Sequence, residues 1–379
     1  MPLTLTYVLM LFGFASFTSS RIVLSLYALN LGAAPSAVGL LVASFFVFPL
    51  ALSWPIGIFS DRIGSRWPLL AGTVCGTLAM LVPYFWRVLP ALYFASAMTG
   101  LAFCFYNVLL QNLIGILSKP HERARNFSNA SLIGATSNFL GPLLGGFALD
   151  NAGNAAACLF VAALPFVGSV LLLIRGGILP RPPHKAAAPQ GIRDPLADKG
   201  IVRILATSSL VQVGQDLFQF YIPIYGHAIG MSASIIGSVL ATYAFASFVV
   251  RFAMPRLISR LGEERLLAYS FSLGALGFLL IPFFDSVVPL ALVSFVFGLG
   301  MGCGQPITTM MMFSRSPEGR SGEALGLRQT VNNIMRVSAP AVFGLVASAF
   351  GLLPVFWING LMMGAGGWLT RPPSRRHRR

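Results

Sequence analysis

"GIFSDRIGSRW", residues 57–67, sets an Asp and two Arg between two glycines in an otherwise greasy chain. Upstream of it the only charge is Arg21, and downstream the next is Arg87. A compact charged turn with a long apolar stretch on each side reads as a loop between two membrane-crossing helices. The rest of the sequence repeats that alternation. Of 379 residues, 56% are hydrophobic and 10% charged, against roughly 25% charged in a soluble domain. Apolar runs fall near 6–29, 36–58, 68–86, 90–117, 127–149, 154–174, 203–226, 234–254, 266–284, 287–313, 323–349 and 352–370. Runs of about 20 apolar residues cross the hydrocarbon as helices, because an open sheet would leave backbone groups unpaired in lipid. Twelve spans are therefore expected in an all-α integral membrane protein. The first run has no basic start and is longer than a signal-peptide hydrophobic segment, so it reads as a retained span.

The net charge of +15 is explained by where the cations lie. Number the gaps between runs, and take the even gaps and both ends as one side. That side holds all 26 basic residues except Arg21, Arg87 and Arg336. The asymmetry follows the positive-inside rule and places both termini in the cytoplasm of a cell whose plasma (inner) membrane holds the chain. Basicity is then topology, not nucleic-acid binding, and the terminal "RRHRR" reaches anionic lipid head groups. Cys75, Cys104, Cys158 and Cys303 sit inside apolar runs without paired spacing. They read as small hydrophobes, with no metal or cofactor expected.

Shifted by 198 positions, the sequence meets itself without a gap. Tyr27 falls on Tyr225, Gly32 on Gly230, Gly64 on Gly262, Gly100 on Gly298, Pro142 on Pro340 and Gly153 on Gly351. The chain therefore reads as two pseudo-symmetric six-helix bundles, 1–178 and 201–379, joined by a Pro- and charge-rich cytoplasmic linker at 179–200. Six spans per copy keep both copies in one orientation, as in parallel-repeat transporters.

The opening stretch resembles the loop between helices 2 and 3 of the major facilitator superfamily, G-x-x-x-D-R-x-G-R-[KR]. Gly57, Asp61, Arg62, Gly64 and Arg66 match, and Ser65 departs from the usual basic residue. A degenerate second copy, Arg260-Leu-Gly262, falls between helices 8 and 9. The resemblance covers the whole chain and implies that this loop latches the cytoplasmic ends of the halves in an outward-facing state. On physical grounds Gly57 permits close helix approach and Gly64 a tight turn. Asp61 can serve a neighbouring helix N-terminus or pair with Arg62. "GPLLGG" resembles the end of the family's helix-5 antiporter motif, with Gly141, Pro142, Gly145 and Gly146 matching and Ser137 in place of an upstream glycine. The family's helix-4 antiporter motif carries an Arg where this chain has Ser96.

Three charges lie deep in the runs: Arg21, Asp216 and Arg336. An ionised group at the bilayer centre costs roughly 2.5–3.5 kcal/mol on insertion scales, so such residues face a cavity or one another. Under the 198 shift Asp216 and Arg21 lie about one turn apart in depth, which suggests a contact between them; a purely helix-orienting ion pair is the other reading. Neutral polar residues gather on the helices that, as the resemblance implies, line the cavity (Asn107, Gln111, Asn112, Gln212, Gln215, Gln219 and Gln305) or flank it (Asn138, Gln329, Asn332 and Asn333). Together with the three charges they outline a site for a small-molecule substrate, its net +1 favouring an anionic group. "GLGMGCGQP" at 298–306 follows no strand, so it reads as close helix packing and a kink before Pro306 rather than a phosphate loop.

No GxxxxGK[ST] pattern occurs, so a proton or other coupling ion, or substrate exchange, must supply the energy. Asp216 is the candidate coupling carboxylate. Intramembrane enzyme chemistry would need paired catalytic groups, and one deep carboxylate does not provide them. The expected protein is a monomeric secondary transporter. Ion-coupled efflux of a drug or metabolite comes first; uptake or exchange of a small organic anion, or a non-transporting receptor, are the alternatives.

Overall fold

The computed structural model describes residues 2–33, 35–180, 197–231 and 233–370. Most of the expected linker and the basic tail after residue 370 lie outside the described residues. Helix α1 is Pro2–Asn30, α2 Ala37–Ile63, α3 Arg66–Phe85 and α4 Leu89–Leu117. A single helical stretch, Pro120–Ile178, is interrupted at Gly153, whose φ of 77° no helix contains. Its two arms are α5 (123–152) and α6 (154–175). Then follow α7 Lys199–Ala228, α8 Ala233–Leu261 and α9 Glu263–Leu280. The last three are α10 Val287–Arg315, α11 Ser321–Phe350 and α12 Leu352–Leu369. Every apolar run of the sequence falls on one of these helices.

Among the described residues, ten stretches are long and apolar enough to cross a membrane, the α5–α6 stretch being one of them. Helix α7 is the exception: it has 30 residues and the length to cross. Its polar residues Gln212, Gln215, Asp216 and Gln219 lower its hydropathy, so the expected apolar run at 203–226 falls on a helix that also carries a polar cluster. Large apolar side chains stay on the outside, Phe139, Leu345 and Trp368 each more than two-thirds exposed. That surface is what a hydrocarbon solvent leaves uncovered.

Contacts divide the chain into two units. The first comprises Met1–Asn126, Ala130–Gly191 and Ser316–Asn333; the second comprises Phe127–Asn129, Ile192–Arg315 and Ile334–Arg379. Helix α11 thus gives its first turns to one unit and the remainder to the other. The first unit packs around Phe17, which stacks on Phe103 at 3.8 Å and meets Phe45 edge-on at 5.7 Å. The second packs around Phe218, stacked on Phe297 at 4.2 Å and flanked by Tyr243 at 5.0 Å.

The repeat is visible in how each unit turns and packs. Positive φ angles occur in three glycine pairs 198 apart: Gly32 and Gly230, Gly64 and Gly262, Gly153 and Gly351. Only glycine takes that backbone conformation cheaply, so the same residue ends the same helix in each copy. A side chain at Gly100 would overlap the Phe45 carbonyl, and one at Gly298 would meet the carbonyl of Tyr243, the repeat mate of Phe45.

At the start of α7, Asp198 caps the helix by accepting from Gly200 N at 2.7 Å. The Arg315 guanidinium, 3.1 Å away, holds its carboxyl below the usual range. A depressed folded-state value means that this stabilisation is present at neutral pH and is lost as pH falls through the carboxylate range. Asp198→Ala should cost about 1 kcal/mol, the usual size of a lost N-cap. In thermal unfolding the gap between wild type and variant should close on acidification.

Candidate functional site

In the second unit the spacing of α7 puts Gln212 and Asp216 one turn apart on the same face. Gln212 Nε2 donates to Asp216 Oδ2 at 2.8 Å. Arg336 Nε of α11 donates to the same oxygen at 3.2 Å, forming an ion pair that is partly exposed on both sides. Gln305 Nε2 of α10 donates to Gln212 Oε1 at 3.0 Å. A chain of polarised bonds therefore runs from Gln305 through Gln212 to Asp216, with a guanidinium closing its far end. Both donors converge on Oδ2; among the described residues none reaches Oδ1. That oxygen is the one able to take a proton or a donor from a solute. Pairing and hydrogen bonding are what make an ionised carboxylate tolerable in an apolar helix bundle.

The structure brings Asp216, Gln305 and Arg336 together. The sequence suggested Arg21 as the partner of Asp216; within the second unit Asp216 forms an ion pair with Arg336. Arg21 is exposed on α1, its guanidinium 5.8 Å from the centre of the Phe46 ring. Gln219 stands one turn beyond Asp216 and is exposed.

Asn107, Gln111 and Asn332 lie in the first unit. Gln111 Nε2 donates to Asn107 Oδ1, and Arg328 Nη2 of α11 donates to Gln111 Oε1 at 3.0 Å. Asn332 is buried on α11. Arg328 is the functional candidate that sequence reasoning missed: it is 2% exposed. Its place near the start of an apolar run made it look like a loop cation. The available signal was its run of polar neighbours, Gln329, Asn332 and Asn333, continuing down the same helix.

The loop motif of the first unit is built around the start of α11. Asp61 Oδ1 accepts from Gly322 N at 2.9 Å and from Asn112 Nδ2 at 3.3 Å, while Oδ2 accepts from Glu323 N at 2.8 Å. The first N–H groups of a helix have no partner within it, and a carboxylate placed there satisfies them and meets the positive end of the dipole. Of the two partners the sequence offered, Asp61 takes the helix N-terminus; Arg62 is exposed. Asn112 also accepts from Ser321 Oγ at 2.6 Å, tying α4 into the same cap. Arg66 lies 5.2 Å from the Trp67 ring, and Gly64 makes the turn with φ 81°.

Above Asp61 the two helices touch backbone to backbone. Pro49, Ser53, Gly57 and Asp61 recur every fourth residue on α2, and Gly322, Gly326 and Thr330 do so on α11. A Cβ at Gly57 would overlap the Gly322 carbonyl, and one at Gly326 the Ser53 carbonyl. Trp54 N donates to Thr330 Oγ1 at 3.1 Å, and Asn333 Nδ2 to Pro49 O at 3.0 Å. On α5, Gly141 lies so close to α1 that a side chain there would strike Thr18, while Ser19 Oγ donates to Gly141 O at 2.6 Å. Gly145 also packs on Ser19, and Gly146 faces open space. Pro142 lies inside the helix between them. Small residues at such contacts allow the close helix approach that lipid-embedded bundles rely on. A cavity of about 430 Å³ near the start of α7, lined by Arg203, Thr207, Glu264 and Arg315, includes none of the residues nominated from sequence.

Membrane-length helices written twice, with polar residues and an ion pair carried inside them, make a multi-pass helical membrane protein. The chain belongs to the major facilitator superfamily, whose family model matches residues 5–336 and again 204–379. Among curated relatives it is 22% identical over 331 residues to the multidrug resistance protein MdtG of Klebsiella pneumoniae, covering 85% of this chain and 79% of that one. It is 23% identical over 354 residues to the multi-drug resistance efflux pump PmrA of Streptococcus pneumoniae, covering 88% and 86%. The crystal structure of the human organic anion transporter MFSD10 has a similar fold. It superposes with a TM-score of 0.80 at 17% identity over 97% of this chain and 98% of the other.

Proposed function

We propose that the chain is an ion-coupled exporter of a small organic solute, working by alternating access, with Asp216 as the coupling carboxylate. The observation that supports the reading is the Asp216–Arg336 pair, a carboxylate whose Oδ2 is held by two donors while, among the described residues, Oδ1 receives none. A group so arranged can exchange a proton against a solute without leaving Arg336 uncompensated in both states. The efflux direction is supported by the two multidrug relatives and by the helix-5 glycine–proline motif. Gln219, Gln305 and Arg336 are the second unit's candidates for substrate contact in this reading, and Arg21, Asn107, Gln111 and Asn332 are the first unit's. The protein acts as a monomer in the plasma (inner) membrane with both termini in the cytoplasm, in keeping with the distribution of its cations. Reconstituted in liposomes, Asp216→Asn should lose gradient-driven transport and keep solute exchange; unchanged gradient-driven transport removes Asp216 from the mechanism.

In the same reading the loop of Gly57, Asp61, Arg62, Gly64 and Arg66 is the cytoplasmic latch. Asp61→Asn keeps the side chain's size but removes its charge from the α11 N-terminus, worth about 0.3–1 kcal/mol at a helix end. Transport should slow several-fold with membrane abundance unchanged; a wild-type rate at equal abundance would remove the latch. Exchange or uptake of an organic anion is the second reading, favoured by the cations Arg21 and Arg336 standing against a single deep carboxylate.

A further inference from the structure

Helix α10 is interrupted where its repeat mate is not. Its hydrogen-bond ladder lapses at 302–303, between the helical stretches Val287–Met301 and Gly304–Arg315, while Gly302 keeps helical angles (φ −59°, ψ −32°) and its N–H still reaches Gly298 O at 2.9 Å. The corresponding helix of the first copy, α4, is continuous from Leu89 to Leu117. The difference has a covalent origin. Pro306 has no N–H, so the carbonyl four residues earlier, that of Gly302, loses its intrahelical donor. Val108 occupies the mate position in α4 and keeps its donor.

The orphaned carbonyl is met from the neighbouring helix. Arg251 Nε of α8 donates to Gly302 O at 3.0 Å. The repeat mate of Arg251 is Ser53, which faces Cys104, the mate of Gly302, at 3.2 Å. Arginine and proline therefore occur together in the second copy, while neither occurs at the equivalent places in the first. On the other side of the break, Gln215 Nε2 of α7 donates to Met301 O at 2.8 Å. One turn farther, Gln305 joins Gln212 and so Asp216. Among the described residues of the second unit, the titratable or charged groups facing Asp216 are Arg336 from α11 and Tyr243 from α8.

We propose that the interruption at 302–303 is a joint in α10, that Arg251 is the positioning residue holding it closed, and that the Gln212–Gln305 link ties it to the charge on Asp216. The last part rests on the reading of Asp216 as the coupling carboxylate. With Asp216 charged, Gln212 is fixed as its donor and presents Oε1 to Gln305. When the carboxylate is neutral, the charge-assisted bonds at Oδ2 weaken to ordinary ones and that hold on the α10 segment after the break loosens. A partly buried cation on α8 thereby has a task beyond topology.

The test is amide hydrogen exchange of the full-length protein in detergent, followed in peptides covering 298–310. Arg251→Gln should speed exchange there by roughly tenfold or more, the effect of removing one charge-assisted bond from a local opening. Pro306→Ala, which restores the missing N–H, should slow it. In the Pro306→Ala background Arg251→Gln should have little effect. Asp216→Asn should speed exchange in the same peptides. Equal effects of Arg251→Gln in both backgrounds would overturn the role given to Arg251, and unchanged exchange in Asp216→Asn would overturn the link. If Arg251→Gln fails to fold, Pro306→Ala alone decides: unchanged or faster exchange sinks the joint. Loss of coupled transport in Asp216→Asn without altered exchange would leave the proposed function standing and this inference refuted, and altered exchange with intact coupling would do the reverse.

Discussion

Asp216→Asn is expected to reduce gradient-driven solute accumulation to equilibrium while leaving exchange of solute for solute in place. A proton crossing 100 mV gains about 2.3 kcal/mol, enough for roughly fortyfold accumulation, so this is the full size of the expected loss. Asparagine can still accept from Gln212 and Arg336 at the oxygen they share, so the hydrogen-bond framework survives while the charge does not. The stability cost should fall below the 3–5 kcal/mol of breaking a fully buried ion pair, because both side chains are partly exposed. The double variant Asp216→Asn with Arg336→Gln removes the uncompensated cation and should recover any lost abundance without recovering coupling. Flux against a solute gradient and counterflow in the same proteoliposomes measure the two quantities separately.

Gly57→Val should have the second-largest effect. The Gly322 carbonyl occupies the place of the new Cβ, and backbone cannot yield as a flexible side chain can. Helix α11 must move off α2, and the bonds from Gly322 N and Glu323 N to Asp61 go with it. Transport should fall by more than tenfold, consistent with a lost helix contact of a few kcal/mol. Ser321, now 9% exposed beside Asn112, should become open to alkylation when replaced by Cys. Protection of that cysteine equal to the wild-type background would show that the contact had adapted.

How much of this was legible in the sequence depended on whether the information was local. The turns were legible: Gly32, Gly64 and Gly153 and their mates announce themselves because positive φ leaves little choice of residue. The helices were legible from apolar runs, except that α7 gave up apolarity to carry Gln212, Gln215 and Asp216. Those residues were readable as a cluster because one helix supplies three of them, but the choice of partner was not. Asp216 had two deep arginines within reach of the argument, and only packing assigns Arg336. Arg328 and Arg251 were illegible for a different reason. A cation near the end of an apolar run counts equally well as topology, and the burial of Arg328 and the bond from Arg251 to Gly302 O appear only when α11 and α8 are placed against their neighbours. The facing stripes of Ser53–Gly57 and Gly322–Gly326 likewise carry no meaning until they meet.

The most direct test of the central claim is solute flux in proteoliposomes with and without an imposed proton gradient, compared between wild type and Asp216→Asn. The account predicts that the gradient drives accumulation in wild type and none in Asp216→Asn, with counterflow retained in both. Gradient-driven accumulation that survives in Asp216→Asn would contradict it.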